Sequence, residues 1–196
     1  MLCRPAVRPG QTDCGLRWWS GDQDLFGKII GRLVTATAEH LIGQLRAGAD
    51  VVQIFDTWAG VLDPEAYERW CVKPTVEIIA KLRAAIPDAR VIVFPKGVEL
   101  SEIEHLVRAC GADAVSLDAS VDRKLARRRL GLRYAIQGNL DPLTLVAGGE
   151  ALDREIDEIT EAFRGTRHIF NLGHGIRPET PIAHVERMIA RVRRGA

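Results

Sequence analysis

The sequence has almost no net charge: 27 Lys and Arg stand against 26 Asp and Glu, a formal balance of +1 over 196 residues. Such a balance leaves no broad field to draw in nucleic acid or an anionic membrane, so any anionic ligand has to be held by local groups. Cysteine is scarce and scattered. Cys3, Cys14, Cys71 and Cys110 form no C-x-x-C pair, which argues against both a disulfide framework and a zinc site. No apolar run approaches the roughly 18 residues of a membrane span, and the first residues lack the charged start, apolar stretch and small-residue cleavage site of a signal peptide. A soluble, reducing, cytoplasmic setting is therefore expected. Also missing are a Ser nucleophile elbow, a G-x-x-x-x-G-K-S/T loop and a strand-linked G-x-G-x-x-G, so acyl transfer by that elbow and nucleotide binding by those loops have no support. No cofactor and no metal is announced.

What is present is a chain 46% hydrophobic, of a length that suits one domain with a sizeable core. From Leu25 to about Ala47 the apolar residues recur at spacings of three and four, the pattern of an amphipathic helix, and Gly48 follows as a stop. Asp50 to Phe55 then reads as a strand buried on both faces. Pro64 to Ala85 reads as helix, capped by Asp63 and opened by Pro64, with Pro74 predicting a kink or a break in two. The strand Arg90–Pro95 precedes a helix over Ser101–Cys110, with Ser101 and Glu104 forming a capping box and Gly111 closing it. Further strands are expected over 114–118, 134–137 and 167–171, and further helices over 122–130, 150–163 and 181–193. The basic run Arg123, Lys124, Arg127, Arg128 and Arg129 is interleaved with Leu125, Ala126 and Leu130 and reads as a solvated helix face.

Strands alternating with helices imply βαβ units, whose right-handed crossovers make the sheet parallel. Two architectures satisfy that rule: an open doubly wound sheet and an arc of a (β/α)8 TIM barrel. A doubly wound sheet gathers its ligand chemistry at one switch point, whereas a barrel gathers it from the ends of many strands. Here every strand runs into a polar or Gly-rich cluster: Asp56-Thr57-Trp58, Pro95-Lys96-Gly97, Asp118-Ala119-Ser120, Gly138-Asn139 and Asn171 to Gly175. The expected fold is thus a partial (β/α)8 barrel of five parallel strands, short of the roughly 250 residues of a closed one.

Those strand ends supply the candidate site. His174 lies between glycines in Asn-Leu-Gly-His-Gly, where backbone can approach a ligand; its role is either hydrogen bonding to a polar substrate group or capping of a turn. Asp56, Thr57 and Trp58 offer a carboxylate, a hydroxyl and an aromatic face suited to a flat, polar-rimmed ligand, or else cap a helix and pack. Asn139, beside Asp141-Pro142, is a ligand contact or turn chemistry. Lys96 could meet a carboxylate, although an exposed loop lysine is the commoner case. His40, His105, His168 and His184 fall inside predicted elements and are read as structural or solvated.

Three segments carry a family resemblance: Gly48-Ala-Asp-Val-Val-Gln-Ile-Phe-Asp-Thr-Trp-Ala-Gly60, Gln137-Gly-Asn-Leu-Asp-Pro142, and His168-Ile-Phe-Asn-Leu-Gly-His-Gly-Ile-Arg-Pro-Glu-Thr-Pro181. In order and spacing they resemble uroporphyrinogen decarboxylase, from about Leu25 to the C-terminus, leaving residues 1–24 as a non-matching segment ahead of a barrel portion at 25–196. The resemblance implies a cofactor-free and metal-free homodimeric enzyme that removes the acetate carboxyl groups of uroporphyrinogen to give coproporphyrinogen. By position it assigns substrate binding to Thr57 and His174 and lining of the cleft to Phe55. The family's catalytic aspartate, its Arg-Gln-Ala-Gly-Arg segment and its glycine-rich tyrosine segment find no counterpart here, so no catalytic residue is assigned and the chain alone is expected to be a truncated, inactive portion. Asp118-Ala-Ser also departs from the Asp-Trp-Thr common in the family at that strand end. Two other readings remain at this point. One is a protein similar to the corrinoid-dependent methyltransferases, which need zinc-binding thiolates near the mouth; the other is a non-catalytic porphyrin-binding fragment.

Overall fold

The structure, a computed structural model, describes residues 22–195; the non-matching segment expected at 1–24 falls almost wholly outside them. Helix α1 (Gln23–Arg46) is capped by Asp22, whose carboxylate accepts the Leu25 N–H at 2.9 Å, and it carries Asp24 in its first turn and Arg46 in its last, complementing the helix dipole. Val34, Ala38 and Leu41 form its buried stripe. The chain leaves the helix through Gly48 at φ +105°. Leu25 and Leu33, which share the apolar periodicity, stay exposed because α1 is the first helix of the arc and packs chiefly against the helix and strand that follow it.

Five strands follow: β1 (Val52–Asp56), β2 (Val91–Pro95), β3 (Ala114–Ser116), β4 (Ala135–Gln137) and β5 (His168–Ile169). They form one parallel sheet in the order β1-β2-β3-β4-β5. A doubly wound sheet reverses its strand order at a switch point; this one never does. Short α2 (Pro64–Tyr67) and α3 (Lys73–Ala85) follow β1, α4 (Leu100–Cys110) follows β2, and α5 (Arg123–Leu130) follows β3. After β4 come α6 (Pro142–Ala147) and α7 (Gly149–Ala162), and α8 (Ile182–Gly195) follows β5. Neighbouring helices touch in chain order, α1 on α3, α3 on α4, α4 on α5, α5 on α7 and α7 on α8.

The sheet curls. Gln137 on β4 donates from Nε2 to Gln53 Oε1 on β1 at 3.1 Å, across two intervening strands. In a flat sheet these residues would stand three strand spacings, about 14 Å, apart. Ser116 Oγ on β3 accepts from the same Gln137 nitrogen at 3.2 Å. The concave side is therefore a barrel lumen. Val52, Val91, Val93, Val115, Leu117 and Ile136 point the other way, into a single core shared with Leu41, Leu82, Val107, Leu130 and Ile156 from the helices.

Several expectations need correction. The first strand is buried on one side only: Phe55 is 65% exposed, and Ile169 on β5 is exposed as well, because five strands leave the lumen without a facing wall among the described residues. The break expected at Pro74 is a widened π turn over Glu68–Val72, in which the Lys73 N–H reaches back to Glu68 O and places Pro74 in the first turn of α3, where its missing N–H costs nothing. The capping box of α4 lies two residues earlier than Ser101 and Glu104: Glu99 precedes the helix and its N–H donates to Glu102 at 3.0 Å. The basic run is only partly a solvated face, since Arg123 turns inward and Arg129 meets Glu104 at 2.6 Å. Short α6 was unanticipated; Asp141 caps it, accepting the Leu143 N–H at 2.8 Å.

The structural reading of the four other histidines holds: His40 bonds Gln44, His105 bonds Glu68 and His184 meets Leu145 O. His168 Nε2 donates to Gly138 O at 2.7 Å and its ring stacks on Phe163 at 4.5 Å. Burial lowers the pKa of His168 from the usual histidine value, with the bond to Gly138 opposing. A depressed folded-state pKa means that the unfolded chain takes up the proton first. The stabilising contribution is then complete above about pH 6.5 and is lost as pH falls below that value toward the folded pKa. His168→Gln, which keeps a donor for Gly138 O without a titrating ring, is expected to flatten the decline of the urea midpoint between pH 7 and 5; an unchanged slope would exclude His168 as its source.

Candidate functional site at the strand ends

Parallel strands deliver all five C-terminal ends to one mouth, and there backbone meets backbone. A Cβ on Gly60 would lie 2.1 Å from Gly97 O, one on Gly138 2.7 Å from Leu117 O, and one on Gly173 2.4 Å from Ala119 N. Hydrogen bonds run along the same line: Gly60 N–H to Lys96 O at 3.0 Å, Gly138 N–H to Ile169 O at 3.0 Å and Gly173 N–H to Leu140 O at 2.7 Å. Each strand-end loop thus rests on the next, which fixes the side chains it carries.

At the β1 end, Phe55 faces the lumen with its ring edge-on to Phe94 at 6.0 Å. Thr57 and Trp58 are exposed, Trp58 at 62%, ahead of a single 3-10 turn at Ala59–Val61. Asp56 turns to the opposite face, as strand alternation requires. One of its oxygens accepts the Trp58 N–H at 3.2 Å, and its carboxylate lies against the Cys71 thiol and near the Tyr67 hydroxyl. Burial first, and then the charge of Asp56, push the Cys71 thiol well up; burial likewise raises Tyr67. Cys110 is also buried among the helices and raised by burial, so neither thiol faces the mouth.

At the far end of the strand order, His174 stands exposed in the loop after β5. Partial burial lowers its pKa first, followed by the nearby Lys96 charge; Asp118 opposes them, and Arg177 adds to the lowering. His174 thus lies within electrostatic reach of two cations and one carboxylate, from the ends of β2 and β3 and from its own loop. Asp118 is buried and its orientation is set by three donors: Gly97 N–H at 2.8 Å on one oxygen, and Ser120 N–H at 2.8 Å and Ser120 hydroxyl at 2.5 Å on the other. Asn139 is fully buried, and its peptide link to Gly138 is cis. Its Nδ2 donates to Asp118 O at 2.9 Å and Val121 O at 3.1 Å, while its Oδ1 accepts from Arg123 Nε at 2.8 Å.

Sequence reasoning passed over Arg177 and Arg123. Arg177 sits three residues after His174 in the same Gly-rich loop, a signal available from spacing alone. Arg123 follows directly on the N-cap Asp122, a position next to the strand-end loop, but it was hidden in a run of similar charges.

Five parallel strands in chain order, curled around a lumen and presenting charged and aromatic groups from their C-terminal ends, define a (β/α)8-type barrel portion. The family profile described as Uroporphyrinogen decarboxylase (URO-D) matches residues 11–195. The chain belongs to the uroporphyrinogen decarboxylase family. It is 51% identical over 168 residues to "Uroporphyrinogen decarboxylase" of Rhizorhabdus wittichii, covering 86% of this chain and 48% of that protein. It is 48% identical over 174 residues to the protein of the same name from Sphingopyxis alaskensis, covering 89% and 51%. The chain spans about half the length of these curated relatives. Among solved structures, a methyltransferase from Methanosarcina mazei superposes with a TM-score of 0.78 at 20% identity, covering 94% of this chain and 53% of that one, a likeness of fold.

The proximity of Lys96 to His174 carries a test. Lys96→Gln removes a charge that disfavours the imidazolium, so the His174 titration midpoint followed by NMR is expected to rise toward the usual histidine value. A midpoint that stays or falls would place Lys96 out of range.

Proposed function

We propose that this chain forms the C-terminal, substrate-positioning part of a uroporphyrinogen decarboxylase, a carboxy-lyase that converts uroporphyrinogen III to coproporphyrinogen III in tetrapyrrole and heme biosynthesis. The observation that carries the reading is the seating of the His174 loop, through Gly173, on the Asp118–Ala119 peptide at the mouth of a family-matched barrel arc, with the charges of Lys96 and Arg177 within electrostatic reach of the imidazole. A substrate with a carboxylate on every pyrrole side chain calls for that set: cations for the carboxylates and a histidine to hydrogen-bond one of them. Exposed Phe55 and Trp58, at the other end of the strand order, suit the faces of a flat macrocycle, and Thr57 beside them offers a hydroxyl. In this proposal Thr57, His174 and Phe55 bind substrate, with Asp56, Trp58 and Asn139 as weaker contributors. Of these, Asp56 and Asn139 act through the loops they hold, since one faces the helices and the other is fully buried.

Decarboxylation also needs groups that stabilise charge as the pyrrole is protonated and carbon dioxide leaves. The arginine segment and the aspartate segment that serve this in the family are not in this sequence. The chain on its own is therefore read as a binding half without turnover, in a protein expected to be cytoplasmic and homodimeric. No helix among the described residues is long and apolar enough to cross a membrane.

The purified chain is expected to bind uroporphyrin, seen as a shift of its Soret absorbance, and to release no coproporphyrinogen from uroporphyrinogen above a no-enzyme control. His174→Ala should weaken binding by roughly tenfold or more, the effect of losing one charge-assisted hydrogen bond. Absence of any uroporphyrin binding would sink the reading, and turnover by the chain alone would overturn the assignment of the chemistry to groups outside it.

A further inference from the structure

Behind the mouth lies a polar chain that the binding reading leaves unused. Glu155 on α7 accepts Arg123 Nη2 at 2.5 Å on one oxygen and the Thr144 hydroxyl at 3.0 Å on the other. Arg123 is only 20% exposed at its side chain and Glu155 only 24%, so both are held rather than solvated. Glu158 lies further off, at 3.8 Å from Nη1. Through Nε, on the same edge of the guanidinium as Nη2, Arg123 donates to Asn139 Oδ1 at 2.8 Å.

We infer that Arg123 is a positioning residue for the mouth: by fixing the side-chain amide of Asn139, it locks the turn after β3 to the loop after β4 and, through them, the loop that carries His174. Asn139 Nδ2 faces two carbonyls, Asp118 O and Val121 O, and Oδ1 faces Arg123. Reversal of the amide would set its oxygen against both carbonyls and its NH2 against the guanidinium, so the arginine and the two carbonyls select one orientation. Without Arg123, Oδ1 becomes a buried acceptor with no donor, and the amide that ties the turn 118–121 to the loop after β4 loses the bond that fixes its orientation. That turn is what Gly173 packs on, one residue before His174, and its Asp118 carboxylate holds the Gly97 N–H beside Lys96. Glu155, held by Thr144, keeps the guanidinium from swinging to solvent through one charge-assisted hydrogen bond.

The inference deepens the binding reading and rests on it for its purpose, but its geometry can be tested separately. Amide hydrogen exchange in the full chain reports each link. In Arg123→Met, the Gly97 and Gly173 amides are expected to exchange about tenfold faster, while the strand amides of Val93 and Val115 keep their rates, the mark of a local rather than global opening. Glu155→Gln leaves the Nε bond in place and should speed the same two amides by a smaller factor. Should Arg123→Met not fold, Glu155→Gln decides alone. Selective acceleration supports the role; unchanged Gly97 and Gly173 amides, or equal acceleration of all amides, overturns it. Uroporphyrin added to the same samples separates the two claims: selective exchange in a wild-type chain that binds no uroporphyrin removes the binding reading and leaves the positioning role standing.

Discussion

Three contacts at the mouth admit no side chain between the backbones that make them: Gly60 on Gly97, Gly138 on Leu117, and Gly173 on the Asp118–Ala119 peptide. The strands bring their ends to one rim by being parallel, but a rim of ordinary residues would stand apart by a side chain's width. With glycine at these points each loop bears on its neighbour, and the hydrogen bonds of Gly60, Gly138 and Gly173 follow. The placement of Lys96, Asp118 and His174 depends on that contact. So does the buried state of Asn139, which has no room to reach solvent once the loops on either side have closed over it.

Much of this was legible in the residues. Local pattern located α1, the Gly48 and Gly111 stops and the Asp63 cap, because each depends on chemistry within a few residues. The polar clusters after every strand distinguished a barrel arc from a doubly wound sheet, and the strand order agrees. What escaped depends on partners distant in sequence. Exposure of Phe55 could not be read from an apolar run, since the run is the same whether or not a facing wall exists. Arg123 looked like its neighbours in a basic helix, and only Asn139 and Glu155, 16 and 32 residues away, make it different. Asp56 and Thr57 stood together as candidates, although strand alternation turns Asp56 to the helix side, beside Cys71.

The two faces of the sheet therefore divide the labour. On the helix side a continuous apolar core holds the fold, and its few polar members, such as Thr75 bonding Cys71 O at 2.7 Å, are satisfied within it. On the lumen side the exposed aromatics and the cationic loop are left available. The outer edges of β1 and β5 pair with no further strand among the described residues, and the family relatives are about twice as long as this chain.

The hydrogen bonds inside the arc differ in kind from those that brace its outside. On the surface, Arg187 grips Asp153 at 2.6 Å and Arg191 grips Asp157 at 2.5 Å, exposed ion pairs that added salt screens. Inside, the link from Gln137 to Gln53 and Ser116 is made of neutral amides and a hydroxyl. Neither acid nor ionic strength acts directly on such a link. The curvature of the lumen is thus held at this point by groups that carry no charge, whereas the outer helices are braced by pairs on which both acid and salt act.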